Sequence, residues 1–192
     1  MSLRKLTYHP SSDEELVELI AASDNNAFTE LYHRHGQKIF SYFFRMLWKD
    51  QNLAEDFTQE LFMKLIRNAA SFEKDKVFST WMYSIAHNMC KNEYRKKEIR
   101  QQHLSMVAKQ HPSAEAVNPD HKRFKNALQR FLQSLSEEKR SLYTLRFHEN
   151  LSVPEISQII EVPEGTVKSR IFHLMKEIKN ELKEFENILT YP

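Results

Sequence analysis

The chain has 192 residues, with 28 Lys and Arg against 26 Asp and Glu, and a formal net charge of +2 at pH 7. This length accommodates one large domain or two small ones, and so small a net charge does not by itself identify a nucleic-acid-binding protein. Only two Gly and six Pro residues argue against sheets joined by tight turns. We therefore expect an all-α fold.

Cysteine usage and hydropathy indicate the compartment. Cys90 is the single cysteine, which excludes an intrachain disulfide framework and is typical of a reducing environment. The sequence contains no run of about 18 apolar residues, and its N-terminus lacks the apolar core of a signal peptide. These observations predict a cytoplasmic protein without membrane insertion.

Helix-start signals and apolar periodicity mark the first helices. Ser12 and Glu15 form a capping box after a polar N-terminus. A long aromatic-rich helix follows, with Gly36 as its weak point. Asn52 and Glu55 predict the start of the next helix, which carries an apolar stripe at i, i+4 spacing.

An acidic patch lies on the side of that helix opposite its apolar stripe, formed by Glu55, Asp56, Gln59 and Glu60. One interpretation is a solvated helix N-terminus, where acidic side chains interact favourably with the helix dipole. The other is a docking surface for a basic partner helix. The residues alone leave both open.

A loop at 71–76 precedes a helix that Ser79 or Thr80 is expected to open. Its expected core side is Met82, Ile85, Ala86 and Met89, and His87 is expected on the opposite side. That opposite side and its borders also hold Trp81, Asn88, Lys91, Asn92 and Arg95. Aromatic rings stack on unpaired bases, amides hydrogen-bond to base edges and cations hold phosphate, so this pattern predicts a single-strand reader. A core Trp with a solvated basic tail explains the pattern equally well.

The pattern becomes irregular between Gln101 and Asn118, which predicts a linker of about 20 residues. Asp120 and Ser136 are the expected starts of two further helices, the second with Phe147 facing inward.

The segment Leu151–His173 predicts a helix-turn-helix. Ser152 and Glu155 form a capping box for its first helix, and Pro163 and Gly165 interrupt the periodicity before the second. The second helix has a buried stripe at steps of three and four residues. Its opposite face carries Lys168, Ser169, Phe172, His173 and Lys176. Basic and hydroxyl side chains on the second helix suit the major groove, whereas a helical hairpin with a solvated charged face is the alternative.

No motif indicates an enzyme. His87 and Cys90 lack a second Cys/His pair at a fixed spacing, so we predict no metal site. A Gly-rich phosphate loop, a nucleophile elbow and a paired-carboxylate motif are all missing from the sequence, so no cofactor is expected.

Three segments in this order resemble the bacterial sigma-70 superfamily, specifically the extracytoplasmic-function class that keeps only regions two and four. They are Ala54–Phe62, Phe78–Asn88 and Gly165–Phe172. The resemblance implies two small helical domains joined by a flexible linker. The expected divisions are a flexible N-terminus at 1–12, region two at 13–98, a linker at 99–119, region four at 120–185 and a tail at 186–192.

The resemblance also implies a function and its partners. The chain would be an alternative sigma factor that binds core RNA polymerase and directs transcription initiation at promoters, and an anti-sigma factor is a further expected partner. Glu55, Asp56, Gln59 and Glu60 would dock on the polymerase. Trp81, Asn88, Lys91, Asn92 and Arg95 would bind the single-stranded −10 element, with Asn88 helping to hold a flipped base.

For the duplex −35 element, the resemblance implies contacts by Thr166, Lys168, Ser169, Arg170, Phe172 and His173. Thr166 and Arg170 are better placed for phosphate. His173 departs from the family, which often has arginine there, and this makes the −35 sequence unsafe to guess. The linker resembles the segment that threads the polymerase channel.

Two other classes of protein are alternatives. An ordinary helix-turn-helix regulator would bind duplex DNA tightly without polymerase. A helical scaffold or anti-sigma-like interaction protein would use both basic faces only as solvated surfaces.

Overall fold

The computed structural model describes residues 11–73, 75–103 and 119–185, and in this part of the chain the regular secondary structure is entirely helical, without a strand. Its α-helices are α1 (Asp13–Ala21), α2 (Asn25–Met46), α3 (Gln51–Asn68), α4 (Phe78–His103), α5 (Pro119–Ser134), α6 (Glu137–Tyr143), α7 (Val153–Ile160) and α8 (Glu164–Glu181). Short 3-10 turns follow α3 at Ala69–Ser71 and α8 at Lys183–Phe185, and a π-helical turn at Thr144–His148 follows α6. The predicted all-α fold is confirmed.

The chain divides into two compact units, Met1–Cys90 with Gln158–Ile160, and Lys91–Ser157 with Glu161–Pro192. Helix α4 is continuous to His103 and so enters the segment predicted as linker. Residues 104–118, most of that linker, lie outside the described residues. The same holds for residues 1–10 of the predicted flexible N-terminus and for the predicted tail.

Side-chain caps set the starts of the first three helices. The capping box between Ser12 and Glu15 forms as predicted. Asp24 caps α2, accepting hydrogen bonds from two backbone N–H groups of its first turn. The predicted cap at Asn52 is wrong, because Asp50 accepts from the backbone N–H of Leu53 and leaves Asn52 inside the first turn.

The core of the N-terminal unit lies where α2 packs against α1 and α3. Leu31, Ile39 and Phe43 of α2 are fully buried, as is Leu61 of α3. The ring of Phe43 meets Phe57 edge-on, with centroids 5.5 Å apart. Each such fully buried side chain contributes about 1.5–3 kcal/mol by leaving water. The apolar stripes expected to be core are therefore core.

Gly36 does not interrupt α2. It is buried, and a Cβ added there would lie 3.3 Å from the ring of Tyr32, one turn earlier. The glycine therefore allows the Tyr32 ring to lie close against the helix backbone, and neighbouring packing offsets its low helix propensity.

The C-terminal unit contains α5, α6 and α8, with α6 and α5 both packed against α8. Arg140 of α6 is buried, and its guanidinium donates to the backbone carbonyls of Gln133 and Leu135 near the end of α5. Val167 and Leu174 bury the inner side of α8. The α5–α6 junction is thus held by a charged side chain that binds free carbonyls.

Helix α7 and the turn after it form as the sequence predicts. Ser152 and Glu155 make a capping box, and Glu161 ends α7 in the left-handed conformation with φ of 56°. The hydroxyl of Ser157 donates to the carbonyl of Val162 at 2.6 Å and ties the turn to the helix. Helix α8 begins at Glu164, so Gly165 lies inside its first turn.

Two expectations in this unit are wrong. Phe147 is 39% exposed instead of facing inward, because the π-helical turn at Thr144–His148 shifts the helical spacing by one residue. Asp120 lies inside α5, which begins at Pro119, a residue suited to the first helical position. Ser136 does precede α6, although its side chain makes no capping hydrogen bond.

Candidate functional surfaces

The acidic face of α3 consists of Glu55, Asp56, Gln59 and Glu60, all exposed. The four side chains follow helical spacing on the side away from buried Leu61. Glu60 pairs with Lys64 at 3.1 Å, and Glu55 accepts a hydrogen bond from the Gln51 side chain at 2.9 Å. An exposed pair of this kind contributes little to stability, so the carboxylates can exchange these contacts for a partner's.

The polar face of α4 consists of Trp81, Asn88, Lys91, Asn92 and Arg95. All except Trp81, which is half-buried, are exposed. Steps of three, four and seven residues place them along one side of a single helix, over a length of about 21 Å. Such a strip offers an aromatic ring, two amides and two cations in succession, which are the groups that bind an unpaired nucleic-acid strand.

The start of α4 is built from aromatic rings. Trp81 packs against Phe72 with ring centroids 4.9 Å apart, and Phe78 lies 6.2 Å from Trp81. Helix α4 begins at Phe78, so the expected start at Ser79 or Thr80 is wrong by one or two residues. The indole therefore belongs to an aromatic cluster on one side and remains accessible on the other.

His87 is buried, contrary to its expected place beside Asn88 on the polar side. Cys90 is fully buried as well, so the inner side of α4 is wider than the apolar residues alone indicate. His and Cys side chains are often buried in protein cores, so the pattern of polar residues along α4 placed His87 on the wrong side of the helix.

A network at the N-terminal side of α4 was not predicted. The Phe78 backbone N–H donates to Glu14 Oε1 at 2.9 Å, and the Phe78 ring lies 5.2 Å from the His35 ring. Asp13 accepts a hydrogen bond from Arg34 Nη1 at 3.0 Å, and its other oxygen lies 2.6 Å from His35 Nε2. Two neighbouring acids of α1 thus reach α2 and the start of α4.

Burial tends to raise the pKa of Asp13, but hydrogen bonds from His35 and Arg34 and their charges outweigh it and hold the pKa below its usual value. The sequence offered only a weak signal for this network, since Asp13, Glu14 and Glu15 read as ordinary acids in a first helical turn.

The outer face of α8 exposes Lys168, Ser169, Phe172 and His173, as the sequence predicts. Phe172 is 66% exposed, the largest value among the exposed large apolar side chains of the described residues. Its ring lies 5.6 Å from the His173 imidazole. A bulky apolar ring held in water between polar side chains marks a binding site more than a packing position.

Thr166 and Arg170 lie at the edge of that face, and both are half-buried. Arg170 approaches Glu138 of α6 at 3.8 Å, and Lys168 approaches Glu164 at the same distance. At 3.8 Å, with all four side chains at least 40% exposed, these pairs are weak, which leaves both cations able to bind phosphate. The structure thus separates Arg170, beside α6, from the outward residues.

The described residues contain no group of three His, Cys, Asp or Glu side chains that could hold a metal ion. None of the helices in the described part is long and apolar enough to span a membrane.

Comparison with family models gives two matches, Sigma-70 region 2 over residues 31–99 and Sigma-70 region 4 over residues 125–178. Among curated proteins, the ECF RNA polymerase sigma-E factor of Escherichia coli K12 is 34% identical, over 90% of this chain and 95% of its own length. The RNA polymerase sigma-H factor of Pseudomonas aeruginosa is 30% identical, over 89% of this chain and 94% of its own.

Two solved structures share the fold. CnrH in complex with the cytosolic domain of CnrY has a TM-score of 0.66 at 19% identity, covering 90% of this chain and 97% of its own. The sigma factor RpoE of Bartonella quintana, solved with the anti-sigma factor NepR, has a TM-score of 0.63 at 22% identity, covering 81% and 96%.

Proposed function

The chain belongs to the sigma-70 family, in its extracytoplasmic-function class, and we propose how its exposed faces divide the work of initiation. It is an alternative sigma factor, a non-enzymatic protein that directs transcription initiation with RNA polymerase at promoters. The residue assignments that follow, and a cytoplasmic location beside the polymerase, are part of the proposal.

The acidic face of α3 docks on core polymerase. Its four side chains are exposed on one side of a helix whose other side is buried in the core, so the helix can present them without unfolding. Carboxylates spaced along a helix favour a partner with basic side chains, and charge complementarity speeds encounter. The proposal expects this contact to weaken as salt increases.

The polar face of α4 binds the non-template strand of the −10 element. Asn88 supplies an amide for a base edge, Trp81 an accessible aromatic surface, and Lys91 and Arg95 positive charge for phosphate. An unpaired base exposes its Watson–Crick edge, so strand capture and opening become one event. The exposure of these side chains along one helix supports the assignment.

The outer face of α8 binds the −35 duplex, and the exposure of Phe172 is the single observation that carries this assignment most strongly. In the major groove an aromatic ring can contact a thymine methyl group, while Lys168 and Ser169 can hydrogen-bond to base edges. Thr166 and Arg170, at the edge of the face, are placed for phosphate contacts.

An anti-sigma factor is a proposed partner. The two solved structures described above are complexes, one with the cytosolic domain of CnrY and the other with the anti-sigma factor NepR. Exposed reading faces on α4 and α8 would have to be covered to keep such a factor inactive. We therefore expect a protein partner that competes with promoter DNA.

Transcription by core polymerase from genomic promoter fragments, with and without the purified protein, tests the proposal through RNA 5′ ends. We expect new start sites that share spaced −35 and −10 elements. Asn88→Ala and Lys168→Ala should each reduce these starts about tenfold or more. Asn26→Ala, an exposed Asn of α2, is the matched control and should change nothing.

Charge reversal tests the docking assignment separately. Asp56→Lys should weaken binding to core polymerase by at least about tenfold, whereas Glu184→Lys, an exposed acid elsewhere in the chain, should not. Unchanged polymerase binding by Asp56→Lys would rule out the acidic face as the docking surface. Tight duplex binding without polymerase and no new start sites would instead indicate an ordinary regulator.

A further inference from the structure

We propose that Glu14 is a positioning residue for promoter opening: its carboxylate anchors the first turn of α4 and so sets where the polar face of that helix lies. This inference rests on the proposed role of α4 in binding the −10 strand. Glu14 lies before residue 31, where the match to the family model begins.

The anchor is a backbone hydrogen bond. The N–H of Phe78, the first residue of α4, donates to Glu14 Oε1 at 2.9 Å. The preceding residue, Val77, has no side-chain acceptor, so it cannot cap α4 as Ser12 caps α1. An acceptor 64 positions away in sequence satisfies the Phe78 N–H, one of the four backbone donors that a helix start leaves without an intrahelical partner, and adds a negative charge at the positive end of the helix dipole.

The anchor is held in place by the residue beside it. Asp13 accepts a hydrogen bond from Arg34 and contacts His35, both on α2, and Arg34 also donates to the Ser11 carbonyl at 2.9 Å. These contacts restrain the first turn of α1 against α2. Glu14 therefore projects from a fixed backbone, as a positioning residue must.

The Phe78 side chain completes the arrangement. It is fully buried, and its ring meets those of His35 and Phe72 at 5.2 and 6.5 Å. The α4 start is thus held at its backbone by α1 and at its side chain by aromatic neighbours.

Geometry shows why this matters for DNA. Asn88 is ten residues beyond Phe78, about 15 Å along the helix. A tilt of about 10° at the first turn would move Asn88 by roughly 2.6 Å, enough to break hydrogen bonds to a base. Loss of the anchor should therefore impair strand capture before it impairs folding.

The experiment uses holoenzyme assembled with core polymerase and an oligonucleotide carrying the non-template −10 strand of a mapped promoter. Glu14→Ala should weaken binding of this strand about tenfold while binding to core polymerase and to −35 duplex stays unchanged. Glu14→Gln keeps an acceptor oxygen, so its affinity for the −10 strand should stay within about threefold of the wild-type affinity. Equal losses in all three binding assays would overturn the inference, because they indicate general destabilisation.

Glu15→Ala is the matched control, because it removes the α1 capping box and leaves the Phe78 contact untouched. It should bind the −10 strand like wild type. An equal loss from Glu15→Ala and Glu14→Ala would also contradict the inference, since any weakening of α1 would then suffice.

A second variant covers poor folding of Glu14→Ala. Val77→Asp places a carboxylate at the N-cap of α4, where it accepts from the backbone N–H groups of the second and third helical residues and stabilises the helix start without contacting α1. In that background Glu14→Ala should still weaken strand binding about tenfold, because a local cap does not tether α4 to α1. A loss below threefold would overturn the inference, since it would show that the Glu14 carboxylate only caps the helix. Asn88→Ala distinguishes failure of this inference from failure of the proposed role of α4. If Asn88→Ala leaves the affinity for the −10 strand unchanged, the proposed role of α4 is wrong. If Asn88→Ala lowers that affinity but Glu14→Ala does not, only the present inference is wrong.

Discussion

Helices α4 and α8 carry the two proposed DNA-binding faces, yet they are held in different ways. The turn before α8 is held by contacts between residues close in sequence, such as Ser157 with Val162. The start of α4 is held by Glu14, which is 64 positions away. The turn that leads into α8 is thus held by local chemistry, whereas the start of α4 is held by a residue distant in sequence. The following variants test that difference.

The largest expected effect is at Phe78 in α4. The side chain is fully buried among aromatic rings, so Phe78→Ala should lower the free energy of unfolding of the N-terminal unit by about 3–5 kcal/mol. Denaturant unfolding followed by circular dichroism measures this change. A loss below about 1 kcal/mol would show that the aromatic cluster does not hold the start of α4.

The opposite behaviour is expected at Phe172 in α8. Because the ring is largely exposed, Phe172→Ala should change the unfolding free energy by less than about 0.5 kcal/mol. Affinity for a −35 duplex should nevertheless fall about tenfold, measured by fluorescence anisotropy with holoenzyme. Asn180→Ala, exposed further along α8, is the control that should keep full affinity. Retained affinity in Phe172→Ala would remove Phe172 from the reading face.

A smaller effect is expected at the local cap before α7. Ser152→Ala removes the capping hydrogen bonds and should destabilise the C-terminal unit by about 1 kcal/mol. Ser136→Ala is the matched control, since Ser136 precedes α6 without a side-chain capping bond and its loss should cost less. Thermal unfolding of both variants compares the two sites. Equal losses would show that the local cap is not what holds α7.

The smallest expected effect is the pH dependence of the α1–α2 contact. Asp13 has a lowered pKa in the folded chain, so its contribution is present above the ordinary Asp pKa of about 3.9 and is lost as pH falls through the lower folded value. Asp13→Asn should therefore lower the free energy of unfolding by less than about 1 kcal/mol at pH 7, since the side chain is partly exposed. At a pH below the folded pKa of Asp13 the substitution should not change the free energy of unfolding.

Denaturant unfolding of wild type and Asp13→Asn at a series of acid pH values measures how the difference in their free energies of unfolding changes with pH. A penalty that stays constant as the carboxylate is protonated would contradict an ionic contribution from Asp13.

The features that could be predicted from the sequence are those that depend on residues close together in the chain. The capping boxes at Ser12 and Ser152 and the outward face of α8 follow from spacing alone, because a helix brings residues three and four positions apart together. The resemblance to sigma factors also rested on short segments. Both the all-α fold and the family were confirmed.

The errors occur where competing local signals or burial decide. Asn52 and Asp50 are both good caps, and only the backbone path shows that Asp50 is used. Phe147 follows a helical pattern that a π-helical turn shifts, and His87 looks polar yet is buried. The backbone path decides the first two cases and burial against other segments decides the third, and the periodicity of apolar residues contains neither.

The helical fold and the outward side of α8 could be read from the amino-acid sequence, because both depend on residues a few positions apart, and the sigma-70 family could be read from three short segments. How α4 begins depends instead on a contact between distant parts of the chain. A backbone N–H at Phe78 is satisfied by a carboxylate from α1, and no local pattern shows which distant acceptor the fold will bring to it.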